Sequence, residues 1–305
     1  MLTVAFFGSG GEASMAPLRA VSRDHRLIII VHPRGARSWF RRTARSLLSR
    51  SGFGEQDLMS PWARAHDVRL SVANSGCDPG LARRLRELEP DVICVSQFPW
   101  LIADEILKIA RRGAFNIHSS LLPRHRGPNP LFWVYYHSDR RTGVTVHGMN
   151  QRDDAGDIVA QEIFDLPRGF PVDSLYARKA ALGAGLLVEV LSKLENGGLR
   201  PVAQDDGFAT SAPRVAHGMA MVNFAEWDVE RVWHFLAGLC PRRREPLRDV
   251  DQRPARYESV LGYTPGDCRL AAGMAQRASF GWNLYCRDGS IQLGDAQHSQ
   301  PEARL

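Results

Sequence analysis

The sequence predicts an α/β protein, a doubly wound, mostly parallel, Rossmann-like sheet followed by a small, mainly β C-terminal module. Three observations lead there. Short apolar runs alternate with helical patterns over the first two thirds of the 305 residues. A glycine turn, Gly8-Ser9-Gly10-Gly11-Glu12-Ala13, closes the first apolar run and opens a helix. Beyond about residue 217 the pattern changes to one helix and several short strand-like runs. Strands that alternate with helices make parallel sheets covered on both faces, and such strands read as continuous apolar runs.

Taken in order, Leu2 to Phe7 is the first strand, a helix runs to about Val21, and Leu27 to Val31 is the second strand. Val68 to Val72, Val92 to Val95 and Ala114 to Ile117 continue the buried strands, with helices over Pro79 to Leu88 and Ala103 to Arg111 between them. Thr142 to Met149 and Ile158 to Phe164 read as strands joined by a polar loop. A long amphipathic helix spans Val172 to Leu194 and stops at Asn196-Gly197-Gly198, because glycine accepts the left-handed turn that ends helices. The stretch 201–216 reads as a linker between a large domain over 1–200 and a small one over 217–300. The small domain holds a helix, Trp227 to Leu239, and strand-like runs near Tyr257, Leu270, Trp282 to Cys286 and Ile291; 301–305 reads as a frayed tail.

Composition narrows the function classes. Hydrophobic residues at 44% with 24% charged fit a folded globular chain. No apolar run reaches the roughly 18 residues of a membrane span, and the first residues lack the pattern of a signal peptide, so the expected location is the cytoplasm. The five cysteines, Cys77, Cys94, Cys240, Cys268 and Cys286, include no Cys-x-x-Cys pair and are expected as free thiols. A net charge of +6 suits an acidic partner or a solubilising surface equally well.

The glycine turn fits the dinucleotide pattern G-x-G-x-x-A, but a NAD site also needs an acid at the end of the second strand. This chain has His32-Pro33-Arg34 there, with no carboxylate to hold a ribose diol, although an arginine of the NADP-binding kind stays open. The turn can instead bind the anionic part of another substrate through Gly10 and Gly11, or serve as a tight connection. Asn116-Ile117-His118 lies at the end of the fifth strand, where ligands gather in open α/β sheets. Alternation puts Asn116 and His118 on one face, and Asp153-Asp154-Ala155-Gly156-Asp157 brings carboxylates in a later loop. An amide, an imidazole and a carboxylate in one crevice make an acyl-transfer site, whereas an Asn-x-His alone reads as a buried structural histidine. His125 and His147 read as loop and strand-surface residues.

Taken together, Asn-x-His, Ser120-Leu121-Leu122-Pro123, a basic residue before Gly127, Thr142-Gly143-Val144-Thr145-Val146-His147 and Asp154-Ala155-Gly156-Asp157-Ile158 resemble the signature of the 10-formyltetrahydrofolate-dependent formyltransferases. That family includes methionyl-tRNA formyltransferase, the glycinamide ribonucleotide transformylases and the sugar-nucleotide N-formyltransferases. Ala209 to Arg214 and the helix after it resemble the junction leading to the small open, OB-like β-barrel of some members. The resemblance implies 10-formyltetrahydrofolate as co-substrate and no metal. It implies that Asn116 donates to the formyl oxygen, that His118 assists the oxyanion or takes a proton, and that Asp154 tunes His118 and relays the proton. It places the pteridine against Phe98, Trp100, Leu101 and Ile102 on one side and Asn150, Gln151 and Asp153 on the other. It also implies a cis peptide at Leu122-Pro123.

The acceptor is less defined by the residues. Gly10, Gly11, Ser119, Arg126, Arg41 and Arg42 are expected to face it. The run Arg34 to Arg50 holds Arg34, Arg37, Arg41, Arg42, Arg45 and Arg50 with no acid, where tRNA-acting relatives carry a basic loop; an exposed amphipathic helix fits equally. From residue 215 onward arginines and acids nearly balance and lysine is absent, whereas a tRNA-gripping module should be more basic. Cys240-Pro241-Arg242-Arg243-Arg244 also replaces the Asn-Pro-x-Pro-Gly of that module. The expected acceptor is therefore a phosphate-bearing small or carrier-bound amine, such as an amino-sugar nucleotide or an aminoacyl intermediate, with methionyl-tRNA as the alternative. A reading from another class is a non-catalytic folate or nucleotide sensor. Oligomeric state is not legible.

Overall fold

The computed structural model describes residues 1–33, 57–150, 153–216, 218–268 and 270–296. The chain divides into two compact units. The first holds Met1–Pro130, Thr142–Phe164 and Tyr176–Pro213, and the second Leu131–Arg141, Asp165–Leu175 and Arg214–Leu305.

The first unit is built on seven strands: β1 (Thr3–Gly8), β2 (Arg26–Pro33), β3 (Arg69–Ala73), β4 (Val92–Ser96), β5 (Ala114–His118), β6 (Arg141–Gly148) and β7 (Ile158–Asp165). Their order across the sheet is β3-β2-β1-β4-β5-β6-β7. The first five run parallel, and β6 returns antiparallel to β5. The order reverses between β1 and β4, so a crevice opens beyond their carboxyl ends, where Gly8 pairs with Ser96. Side-chain alternation divides the core between the two faces. Val4, Phe6, Cys94, Phe115 and Ile117 pack in one cluster, and Ala5, Phe7, Ile93, Val95 and Ala114 in the other. Burial on both faces is why these strands are unbroken apolar runs.

Helix α1 (Glu12–Asp24) starts from Gly11, and α2 (Met59–Ala65) follows β2. In α3 (Pro79–Leu88), Asp78 caps the first turn by accepting from the Gly80 and Leu81 amides at 2.9 and 3.1 Å. The helix expected over 103–111 is only α4 (Asp104–Leu107), because backbone bonds then shorten to i+3 partners: Ile109 donates to Ile106 and Ala110 to Leu107. α5 (Pro130–Tyr136) was not legible as a helix among its five aromatic and β-branched residues. α6 (Val172–Glu195) ends as expected at Gly197, which has φ +72°.

The second unit contains α7 (Val229–Leu239), capped by Asp228 through the Arg231 amide at 2.7 Å. Its six strands are β8 (Leu247–Asp249), β9 (Pro254–Ala255), β10 (Ser259–Pro265), β11 (Met274–Ala278), β12 (Gly281–Cys286) and β13 (Gly289–Gly294). They form an open sheet, β10-β13-β12-β11-β8-β9, antiparallel except for the β8–β11 pair. Leu270, expected in a strand, precedes β11 in a turn region; Tyr257 falls between β9 and β10. Phe132, Tyr136, Trp227 and Phe235 interlock edge to face with centroids 5.1 to 5.6 Å apart for the Tyr136–Trp227, Trp227–Phe235 and Phe132–Phe235 pairs. The expected tail 301–305 lies outside the described residues. Among the described residues no helix is long and apolar enough to cross a membrane.

Candidate active site

Strand β5 brings Asn116 and His118 to the carboxyl end of the sheet on the face shared with Ala114. Asp154 reaches them from the loop between β6 and β7. Its Oδ2 lies 3.3 Å from His118 Nδ1 and accepts the Gly127 amide at 2.8 Å, while Oδ1 accepts from Asn116 Nδ2 at 3.3 Å. The three predicted catalytic side chains thus converge. Asp154 sits at φ +48°, a left-handed conformation that a non-glycine residue keeps only when its surroundings hold it. Gly156 makes that loop possible: a Cβ there would stand 1.8 Å from the Gly148 carbonyl oxygen.

His118 is 5% exposed, and its Nε2 bonds the His125 carbonyl at 2.8 Å. Because a carbonyl only accepts, Nε2 carries a proton, and the Asp154 carboxylate faces the other ring nitrogen. The segment from Ser119 to Gly127 wraps around this pair. Leu122-Pro123 is cis, as the resemblance implies. Ser120 Oγ bonds the Arg124 carbonyl at 2.7 Å, and Thr145 Oγ1 bonds the Ser120 carbonyl at 2.7 Å.

Residues 54–191 match the family profile described as formyl transferase. The methionyl-tRNA formyltransferase of Anaeromyxobacter dehalogenans strain 2CP-C is 33% identical over 239 residues, 76% of each chain. That of Anaeromyxobacter sp. strain K is 39% identical over the same coverage. The chain belongs to the formyltransferase family. Among solved structures, the sugar 3N-formyltransferase WlaRD superposes with a TM-score of 0.68 at 14% identity, covering 97% of each chain. The N-formyltransferase from Helicobacter canadensis, solved with folinic acid and dTDP-3-aminofucose, superposes at 0.69 and 13% identity, covering 97% of this chain and 99% of that one. At that identity the two show a shared fold.

Electrostatics in this formyltransferase single out Asp154. Burial raises its carboxyl, but the His118 charge, the His147 contact and the Gly127 amide together outweigh burial and hold it well below the usual carboxylate range. Burial pulls His118 below its ordinary value against the opposing pull of Asp154. Asp153, although exposed, is raised by the partial desolvation that neighbouring groups impose and by the Asp154 charge beside it.

The expected donor-binding residues are placed as follows. The Phe98 ring stands edge-on to Phe7 at 5.3 Å and to Trp100 at 5.5 Å, and Phe98, Trp100 and Met149 each pack against the core cluster on one side of the sheet. Ile102 is buried, Leu101 is 68% exposed, and Asn150 and Asp153 are exposed. Gln151, Arg41 and Arg42 lie outside the described residues, as does the rest of the run 34–50. Gly10 has φ +97° beside the His32 ring, and Gly11 caps α1. The Ser119 carbonyl accepts from the buried Lys179 Nζ at 2.8 Å, and Lys179 also donates to Thr142 Oγ1 at 2.7 Å. Arg126, expected to face the acceptor, turns its guanidinium to Gln204 and Asp206 inside the chain.

His147 is a correction: it is 2% exposed, and the register pairs it across the strands with Asn116. Its Nε2 lies 3.2 Å from Asn116 Nδ2 and 3.3 Å from Asp154 Oδ1, while Nδ1 bonds the Gly148 carbonyl at 2.9 Å. Its place in Thr142 to His147, opposite Asn116 on an adjacent strand, was the signal that could have found it. His125 is likewise buried, at 2% exposure. Lys179 and Gln204 carried no motif.

Proposed function

We propose that this formyltransferase moves the formyl group of 10-formyltetrahydrofolate onto a primary amine carried by a phosphate-bearing small molecule or carrier, in a one-carbon reaction of the cytoplasm. The observation that carries the chemistry is the partly exposed Asp154 carboxylate, with Asn116 at its side and the His118 imidazole behind it. The amine nitrogen attacks the formyl carbon and the carbonyl oxygen becomes an oxyanion. Asn116 Nδ2 donates to that oxygen, a contribution of ~3–4 kcal/mol for a prepositioned donor in a dry site. Asp154, directly or through one water, takes the proton that the attacking amine releases, and His118 balances its charge. Collapse breaks the bond to folate N10, which receives the proton. The Phe98 to Ile102 loop and, across from it, Asn150 and Asp153 are the walls assigned to the pteridine; the expected division at 1–200, 201–216 and 217–300 gives way to the two units of the fold, in which residues 201–213 belong with the first unit and 131–141 and 165–175 with the second.

Charge supports the small or carrier-bound acceptor. In the second unit the three arginines that follow Pro241 are engaged internally: Arg242 with Asp173, Arg243 with the Ala216 and Met219 carbonyls, and Arg244 with Glu258. Methionyl-tRNA is the second reading, favoured by the 33–39% identity to methionyl-tRNA formyltransferases over three quarters of the chain. The test offers 10-formyltetrahydrofolate with an amino-sugar nucleotide, aminoacyl carriers or methionyl-tRNA, and identifies the formylated product by mass spectrometry. A tRNA acceptor would show affinity falling by orders of magnitude from low to physiological salt and lost on neutralising Arg41, Arg42 and Arg45 together; the expected slope is shallow. Folate binding with no formyl transfer to any amine would leave the sensor reading in its place.

A further inference from the structure

The segment 202–212 straps the two loops that form the catalytic crevice, and one side chain on it touches both. Val202 and Ile158 exchange two backbone bonds of 2.8 Å at the start of β7. Eight residues on, Thr210 binds the other loop: its carbonyl accepts the Arg126 amide at 2.8 Å and its hydroxyl accepts the His125 amide at 2.8 Å. Between these anchors, Gln204 Oε1 accepts from Arg126 Nε and Nη2 at 3.0 and 2.8 Å. Its Nε2 donates to the carbonyls of Asp154 and Gly156 at 2.8 and 2.6 Å. We infer that Gln204 is a positioning residue that locks the left-handed Asp154 backbone to the Arg126–Gly127 turn, and so fixes the Asp154 carboxylate against His118 and the Gly127 amide.

Only an amide satisfies this place. Two carbonyls on one side require a group with two hydrogens to donate, and a guanidinium on the other requires an acceptor. Arg126, Gly127 and Asp154 are then one assembly: Arg126 orients Gln204, Gln204 fixes Asp154, and Asp154 closes the loop by accepting from Gly127. The strap explains how a non-glycine residue at φ +48° can hold a fixed carboxylate.

This inference rests on the proposed role of Asp154, and the test separates the two. Gln204→Met keeps length and neutrality but removes donors and acceptor. It is made in the parent and in Asp154→Asn, and kcat is measured with 10-formyltetrahydrofolate and whichever amine supports turnover. A displacement of about 1 Å costs on the order of 10²-fold. The expected result is a loss of that size in the parent, with the donor KM little changed, and no further loss in Asp154→Asn. Equal losses in both backgrounds, as an unfolded variant would also give, overturn the inference. A fully active Asp154→Asn overturns the catalytic reading instead. An acceptor-free arm reads the Gly127 amide by hydrogen exchange: Gln204→Met should accelerate it at least about tenfold while amides in β1 and β4 keep parental rates. Unchanged Gly127 exchange, or acceleration throughout the sheet, refutes the strap.

Discussion

Replacing Gly156 by alanine tests the catalytic loop with a single methyl group. Gly156 does not occupy a left-handed conformation, so alanine is excluded there by space alone. Its Cβ would stand 1.8 Å from the Gly148 carbonyl oxygen and 2.7 Å from the carbonyl carbon, both backbone atoms of β6. Relief to the closest tolerable approach of 3.0 Å requires a shift of at least about 1.2 Å between the Asp154–Asp157 loop and the strand. Overpacking of this kind costs ~1–3 kcal/mol of stability. The same shift moves Asp154 out of reach of His118 and Gly127, and displacements near 1 Å cost about 10²-fold in rate. Steady-state kcat together with a thermal or denaturant midpoint reads both effects. Gly185→Ala is the control: a Cβ there meets nothing within 4 Å, and alanine in mid-helix should stabilise by roughly 0.5–1 kcal/mol without touching kcat. A Gly156→Ala enzyme with kcat within twofold of the parent would refute the view that this glycine holds the aspartate in place.

Asp154→Asn keeps the shape and an acceptor for Gly127 but removes the proton acceptor, so kcat should fall by ~10²–10⁴-fold with the folate Kd nearly unchanged, as calorimetry can check. Lys179→Met leaves the Ser119 carbonyl and Thr142 hydroxyl without their charged donor, and the denaturant midpoint should report a loss of about 1.5–3 kcal/mol. His234 is fully buried and accepts the Gly169 amide through Nδ1 at 2.9 Å; burial and the Arg168 and Arg140 charges lower it to about 3. An unfolded imidazole titrates near ~6.5, so between these values the unfolded state binds more protons and stability falls as pH drops. His234→Gln should flatten this slope in urea melts at pH 7 and 4.5; an unchanged slope would assign the loss to other groups.

The sequence by itself determined the seven strands of the first unit in their order and pointed to the three side chains proposed as catalytic. Buried parallel strands must be continuous apolar runs, so β1, β2, β4 and β5 could be read within a residue or two. A two-residue alternation forces Asn116 and His118 onto one face, and the loop motif supplied Asp154. Only the tertiary structure decided what lies around them. His147 joins the site because β6 runs antiparallel to β5 with His147 opposite Asn116, a register set by the pairing of two strands and not by either one's pattern. Gln204 lies in a stretch without periodicity, and its importance comes from four hydrogen bonds to groups 48 to 78 positions away. Arg126 looked like a substrate ligand because an arginine in a polar loop reads as available, and its partners Gln204 and Asp206 are distant in sequence. Likewise α5 and residues 165–175 cluster with the C-terminal unit: Phe132 of α5 meets Phe235 of α7, encoded nearly a hundred residues later, and the Gly169 amide donates to His234 of the same helix. Local patterns are written in neighbouring residues, whereas the second layer of a site is set by long-range closure that no local pattern records.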